Sequence, residues 1–166
     1  KDKLELNRER VDIHAVASDV AGHFKLQAQE RGVTIRTQLN AVKHHVNGDR
    51  LHLHNALTNL VDNALKYGRA NGTIDMATTS QGHELLITVM DNGIGIGKED
   101  LQHIFERFYR VHTGNVHDVK GFGLGLHYVQ QIAQAHGGGV SAQSNPGKGS
   151  TFTLSLPLTP VSSLGH

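Results

Sequence analysis

The chain has no cysteine among its 166 residues. It therefore has neither a disulfide scaffold nor a thiolate metal site, and a reducing compartment is permitted without being proved. No apolar run approaches the length of a membrane span, and no signal-peptide pattern opens the sequence. Neither sign of charge is in excess: 16 Lys and Arg stand against 15 Asp and Glu, a formal +1. That balance gives no bulk signal for nucleic acid or for a membrane surface. A hydrophobic content of 37% over this length fits one globular domain. What the chain has in quantity is glycine, 19 in all, clustered at 93–97, 114–125, 137–139 and 147–149. Glycine gathered into a few loops points to backbone shaped around a ligand, although the last cluster reads as an ordinary turn. Thirteen histidines are also present, and the tight groups are His44-His45 and His52 with His54. None has the spacing of three or four that places two metal ligands on one helix face, so they read as surface or partly buried side chains.

Periodicity divides the chain into alternating helical and extended segments. Residues 1–10 are polar and uncapped, and read as the tail of something upstream. Val11–Ile13 reads as a short edge strand, and His14–Gln29 as one helix with Ala15, Val16, Val20, Phe24 and Ala28 on its face, stopped at Gly32. Val33–Leu39 alternates as a half-buried strand, His44–Val46 is a second short one, and Asn47-Gly48 reads as a turn before the N-cap Asp49. Arg50–Tyr67 is the best helix. Thr73–Thr79 and Glu84–Met90 flank Gln81-Gly82 as a hairpin. A short helix opens at Lys98, with Leu101 and Ile104, and two of Phe105, Phe108 and Tyr109 are expected to enter the core. A second long helix runs to about His136 and stops at Gly137. Val140–Ser144 and Ser150–Leu156 close the chain as a strand pair around Asn145-Pro146-Gly147.

Three stretches carry chemistry. In Asp91–Ile96 (DNGIGI) a strand ends on a carboxylate and two alternate glycines, Gly93 and Gly95, which suits close approach of some ligand to the backbone. In Arg50–Tyr67, Leu53, Leu57, Leu60, Val61 and Ala64 share one face, while Asn55, Asn59, Asn63 and Lys66 form a stripe opposite. Asparagine competes with the helix backbone, so three of them four apart ask for a reason other than helix formation. Solvent exposure explains any one; the stripe reads as functional, with amide oxygen as a hard neutral ligand for Mg²⁺ and Lys66 as a cation for phosphate. Third, Gly121–Leu126 (GFGLGL) feeds a helix N-terminus, a weak phosphate signal by itself. A polar loop precedes these glycines where a Rossmann fingerprint needs a strand, and Gly147–Ser150 does not satisfy a Walker loop.

Taken together and in order, these segments resemble the catalytic, ATP-binding domain of bacterial sensor histidine kinases. Asn59–Tyr67 (NLVDNALKY) resembles the N box, Asp91–Gly95 the first glycine box, Ile104–Arg110 (IFERFYR) the F box and Gly121–Leu126 the second glycine box. The resemblance spans 9–158. It implies an α+β fold, a two-layer α/β sandwich whose mixed, mostly antiparallel sheet is covered on one face by helices. Residues 1–8 would be the tail of a preceding dimerisation and phosphoacceptor region, and 159–166 a flexible C-terminal tail. It implies that ATP and Mg²⁺ are bound. Asp91 would accept a hydrogen bond from the adenine amino group, with Gly93 and Gly95 against the ring, and Ser150 supporting it through water. Asn63 would hold Mg²⁺, with Asn59 beside the phosphates or the metal. Tyr67 would line the base or ribose. Lys66 and Arg110 would neutralise the transferred phosphoryl group. Gly121, Gly123 and Gly125 would offer backbone N–H groups to phosphate, with Leu126 completing the cofactor-binding set, and 111–120 would form the lid. Phe122 departs from the small or hydroxyl residue common at its place, and Arg107 reads as a surface ion pair.

The function so implied is transfer of the γ-phosphoryl group from Mg-ATP to a histidine on a separate domain, in two-component signalling. The chain holds no His-Glu-x-x-x-Pro segment, and His83-Glu84 sits at a hairpin without a following Thr or Pro, so the acceptor histidine is expected elsewhere. Expected partners are the protein's own phosphoacceptor and dimerisation domain and a response regulator, with no nucleic acid, in a homodimeric full-length protein. A cytoplasmic place follows, as a domain of a membrane-anchored kinase. The alternative is a nucleotide-gated conformational ATPase module of the same superfamily, against which the F box argues. A degenerate binding module is disfavoured by Asn63, Asp91 and both glycine boxes.

Overall fold

The structure is a computed structural model that describes residues 4–109 and 125–159. Its elements run β1 (Glu9–Asp12), α1 (Ile13–His23), α2 (Lys25–Glu30), β2 (Thr34–Leu39), β3 (His45–Gly48), α3 (Arg50–Tyr67), β4 (Thr73–Gln81), β5 (Glu84–Asp91), α4 (Lys98–Leu101), α5 (Gly125–Ala135), β6 (Gly139–Asn145) and β7 (Gly149–Pro157). Five strands form the main sheet in the order β2-β4-β5-β7-β6. Only β2 and β4 are parallel; the other pairs are antiparallel. A separate ribbon pairs β1 with β3.

Strand period decides which side of the sheet is covered. Ile74, Met76 and Thr78 of β4, Leu85, Ile87, Val89 and Asp91 of β5, and Ser150, Phe152, Leu154 and Leu156 of β7 are all buried. The alternate residues Asp75, Ala77, Thr88, Met90, Thr151 and Thr153 are exposed or half-buried. Helices therefore cover one face, and α1, α3 and α5 lie on it. The middle helix, α3, buries Leu53, Ala56, Leu57, Leu60, Val61, Ala64 and Leu65. Each large apolar side chain of that set contributes about 1.5–3 kcal/mol by leaving water. The expected two-layer α/β sandwich is the observed fold.

Three local expectations are corrected. The helix expected over 14–29 breaks at Phe24 (φ −94, ψ 2), dividing α1 from α2. The Phe24 ring still enters the core, where it is 4% exposed, and backbone bonds from Phe24 N–H to the Val20 carbonyl and from Ala28 N–H to the Phe24 carbonyl carry the chain through the break. Asn47-Gly48 is no turn: both residues lie in β3, opposite Arg10 and Glu9, because β1 supplies the ladder partners. The β4–β5 loop is Gly82-His83, one residue later than expected, since Gln81 pairs with Glu84 and the positive φ (57°) falls on Gly82. Of the three aromatic residues, Phe105 meets Phe152 edge-on and Tyr109 is half-buried, but Phe108 is 64% exposed with φ 68°. The tail before residue 9 is tied down at its end: the Arg8 guanidinium donates to the carbonyls of Asn47 and Ala135.

Candidate functional site

Asp91 ends the central strand. Its parity with Leu85, Ile87 and Val89 points its carboxylate to the helix-covered face, where it is 4% exposed. An acid placed there is costly unless something compensates. Burial pushes its pKa up, and backbone N–H groups of Gly93 and Ser150 partly offset the rise; the Gly93 N–H donates to Oδ1 at 2.9 Å. One buried acid thus stands at a strand end with two donors on its protein side.

The loop after it is locked by close backbone approaches. A Cβ on Gly93 would lie 2.1 Å from the Tyr67 carbonyl oxygen, and one on Gly95 2.2 Å from that of Asn145. Gly95 also has φ 75°, a conformation that glycine adopts freely. The partner that needs both glycines small is therefore the protein's own backbone. Ile94 N–H donates to the Tyr67 carbonyl at 3.1 Å, which fastens the loop to the C-terminus of α3. Ser150 pairs with Asp91 across the ladder, and its hydroxyl lies 2.7 Å from that of Ser144. Ser144 was not singled out in the sequence. It accepts from Ile96 N–H at 2.7 Å and donates to the Gly149 carbonyl, so it joins β6, β7 and the glycine loop. The usable signal was its register opposite Ser150 across the last hairpin.

The asparagine stripe runs up α3 from this loop. Asn59 spends its amide N–H on the Asn55 carbonyl at 2.8 Å. Its Oδ1 faces α5, where a Cβ on Gly125 would approach within 2.9 Å. Asn55 donates weakly to the Tyr128 hydroxyl at 3.4 Å. Asn63 is half-buried on the same ridge and makes no side-chain hydrogen bond to another described residue. Lys66 lies one turn beyond Asp62 and pairs with it at 3.1 Å. Tyr67 closes the helix. Asn59, Gly125, His127, Tyr128, Gln131 and the exposed Arg107 and Phe108 line one cleft of about 510 Å³. Leu126 packs, half-buried, against the core beside it. The structure thus gathers Asp91, Gly93, Gly95, Ser150 and Tyr67 at one end of α3, and Asn59, Gly125 and Leu126 nearer its middle. Arg110, Gly121, Phe122, Gly123 and the stretch 111–120 lie outside the described residues.

The described residues thus form a one-sided α/β sandwich with a buried acid closing its central strand and a polar helix ridge leading away from it. The chain belongs to the family described as histidine kinase-, DNA gyrase B-, and HSP90-like ATPase, which matches residues 48–160. Among curated proteins it is 39% identical over 160 residues to sensor protein RprX of Bacteroides fragilis, covering 95% of this chain and 31% of RprX. It is 37% identical over 150 residues to the sensor-like histidine kinase SenX3 of Mycolicibacterium smegmatis, covering 90% of this chain and 39% of SenX3. The chain thus spans about a third of the length of these relatives. Among solved structures, the nucleotide-free catalytic domain of histidine kinase ThkA superposes with a TM-score of 0.80 at 23% identity, over 95% of this chain and 99% of that one. Full-length ShkA in complex with AMPPNP gives 0.80 at 28% identity, over 94% of this chain and 32% of ShkA. ThkA has also been solved in complex with the response regulator protein TrrA, at a TM-score of 0.76 and 22% identity over 94% of this chain and 43% of that one. No helix among the described residues is long and apolar enough to cross a membrane.

Proposed function

We propose that this domain binds Mg-ATP and donates the γ-phosphoryl group to a histidine on a separate phosphoacceptor domain, in two-component signalling. The observation that carries the reading is the buried Asp91 carboxylate, held at a strand end by two backbone donors and set at one end of the asparagine-bearing helix. A buried acceptor of this kind suits an amino group, and the exocyclic amine of adenine is one. From Tyr67, whose carbonyl grips the loop after Asp91, eight residues of α3 lead back to Asn59. That is about 12 Å at 1.5 Å per residue, the scale of a nucleotide from base to terminal phosphate.

The residues divide the work accordingly. Asp91 selects the base, with Ser144 and Ser150 fixing the strand pair beneath it. Tyr67 borders the base or ribose. The half-buried amide of Asn63 supplies a neutral oxygen to Mg²⁺, which suits an ion that keeps several waters and shares phosphate oxygens. The fit is supported by Asn63 having no competing side-chain partner among the described residues, whereas Asn59 is partly committed to the helix backbone. Bound Mg²⁺ supplies charge neutralisation between the phosphates. Lys66 reaches phosphate by leaving Asp62, an exposed pair of small net worth. Arg110 and the glycines Gly121, Gly123 and Gly125 complete the phosphate side, with 111–120 as lid. Gly93 and Gly95 act by shaping the loop. Catalysis is positioning and charge neutralisation. Residues 9–158 form the catalytic domain. The whole protein is then a membrane-anchored homodimeric kinase with this domain in the cytoplasm, and a response regulator takes the phosphoryl group onward.

The test mixes the chain with γ-labelled ATP, Mg²⁺ and the separately expressed phosphoacceptor domain of the same kinase. Acid-labile label on that domain is expected, strongly reduced by Asn63→Ala and by chelation of Mg²⁺. The chain alone is expected to bind ATP and hydrolyse it very slowly. Tight Mg-ATP binding with no labelled histidine would favour the nucleotide-gated conformational module instead.

A further inference from the structure

A second cluster of chemistry lies away from the nucleotide side. One ligand atom from each of Asp12, His14 and His44 falls within 4.8 Å of the others, and all three residues are half-buried. They come from three places in the chain: the last residue of β1, the first turn of α1 and the loop before β3. Backbone contacts hold those places together. Asp12 pairs with His45 across the ribbon, and Ile13 N–H donates to the His44 carbonyl at 2.9 Å. Asp12 Oδ1 caps α1 by accepting from His14 N–H at 3.0 Å, and lies 2.6 Å from His44 Nδ1. The His14 ring is oriented from behind: its Nε2 is 2.8 Å from the hydroxyl of Thr78, which is 2% exposed and also accepts from Ala41 N–H.

We propose that Asp12, His14 and His44 form a binding site for a divalent ion of the zinc class. Two imidazoles and one carboxylate are the donor set such ions take, with water at a fourth position. A buried hydroxyl fixing one imidazole is the outer support that such ligands commonly have. The site is open enough to load from solvent, since the His44 and Asp12 side chains are 26% and 40% exposed. The two rings now stack at 3.8 Å and 6°, so coordination by both turns one ring about its Cβ–Cγ bond. The ion takes the place of the proton between His44 Nδ1 and Asp12 Oδ1. Thr78 lies four residues along β4 from Ile74, the ladder partner of Asp91. That is about 13 Å at 3.3 Å per residue, so the ion site stands clear of the adenine end of the sheet. The site rests on none of the residues assigned to ATP.

The experiment titrates the whole chain, stripped with chelator, with Co²⁺ and then Zn²⁺. One equivalent of Co²⁺ is expected to give visible absorption that Zn²⁺ displaces, and to broaden amide signals around His14, His44 and Thr78. His14→Asn and His44→Asn should each weaken binding at least tenfold, on the order of what lost supporting contacts alone produce. Asp12→Asn should weaken it too while keeping the α1 cap, because asparagine caps as well as aspartate. This variant decides the matter if a histidine variant fails to fold. His103→Asn, which removes a histidine paired with Glu106 elsewhere, should leave binding unchanged. No uptake at one equivalent, or equal loss in His103→Asn and His44→Asn, overturns the proposal.

Discussion

Asp91→Asn should move two measurements in opposite directions. The substitution keeps size and one acceptor oxygen, which can still take the Gly93 N–H that now donates at 2.9 Å. It removes a charge that is 4% exposed. Burial raises the pKa of this carboxyl in the folded chain, so the folded state holds a proton there more tightly than the unfolded state does. Ionised Asp91 therefore subtracts from stability at neutral pH, and the deficit closes as pH falls through the raised pKa. The apo variant should unfold at the same temperature as the parent or higher, and the two should converge in acid. Nucleotide binding should fall, because a hydrogen bond to a charged acceptor is lost or reversed. At about 1.5–3 kcal/mol that is roughly a 10- to 150-fold rise in Kd. The assays are thermal unfolding of the apo chain and calorimetric titration with a non-hydrolysable ATP analogue. A Kd within about threefold of the parent refutes the adenine role. A parallel fall in midpoint and affinity refutes it differently, by making Asp91 a structural residue.

Gly48→Ala should destabilise by about 1–3 kcal/mol, because its Cβ would lie 2.6 Å from the His136 ring and 3.0 Å from Leu53. In a His136→Ala background the same change should cost much less, and a denaturant double-mutant cycle reads the coupling. His136 is buried neutral: burial lowers its pKa, the bond to the Ile132 carbonyl partly offsets this, and its Nε2 accepts from Asp49 N–H. Its contribution to stability is complete above its ordinary value of about 6.5 and is lost as pH falls below that; urea midpoints should show a decline that His136→Gln flattens. Gly95→Ala combines a left-handed φ with a Cβ 2.2 Å from a carbonyl oxygen, and should yield little soluble protein in an expression trial. Leu57→Ala should cost about 2–5 kcal/mol in a urea titration, without moving the ATP affinity of the folded fraction.

The sequence was most legible where one period ran long enough to be unambiguous. Arg50–Tyr67 shows both faces in its residues, and the structure buries one and aligns the asparagines on the other. Glu84–Met90 was legible as a strand, but with apolar residues on both of its faces the parity that puts the Asp91 acid on the covered side shows only in the fold. What could not be read depended on distant partners. Asn47-Gly48 has the composition of a turn and becomes strand because β1 lies against it and His136 leaves no room for a side chain there. Gly93 and Gly95 signal a close approach, but their residue type cannot say that the approaching group is a carbonyl of Tyr67 or Asn145. The Asp12, His14 and His44 cluster has no helical spacing to mark it, because its members meet at the end of the ribbon and not along a helix.

The ribbon also brings the two extremities of the folded unit together. Arg8 donates to the carbonyl of Asn47, and Thr159 N–H donates to that of His45, two residues earlier in the same strand. A few added residues could bridge these positions, and the backbone could then be opened at the exposed Gly82, where a side chain would meet nothing. Such a circular permutant keeps every ladder of the five-stranded sheet outside its new opening. It also lets a reporter domain be spliced in as a loop, with both of its junctions on one side of the molecule and Asp91 undisturbed.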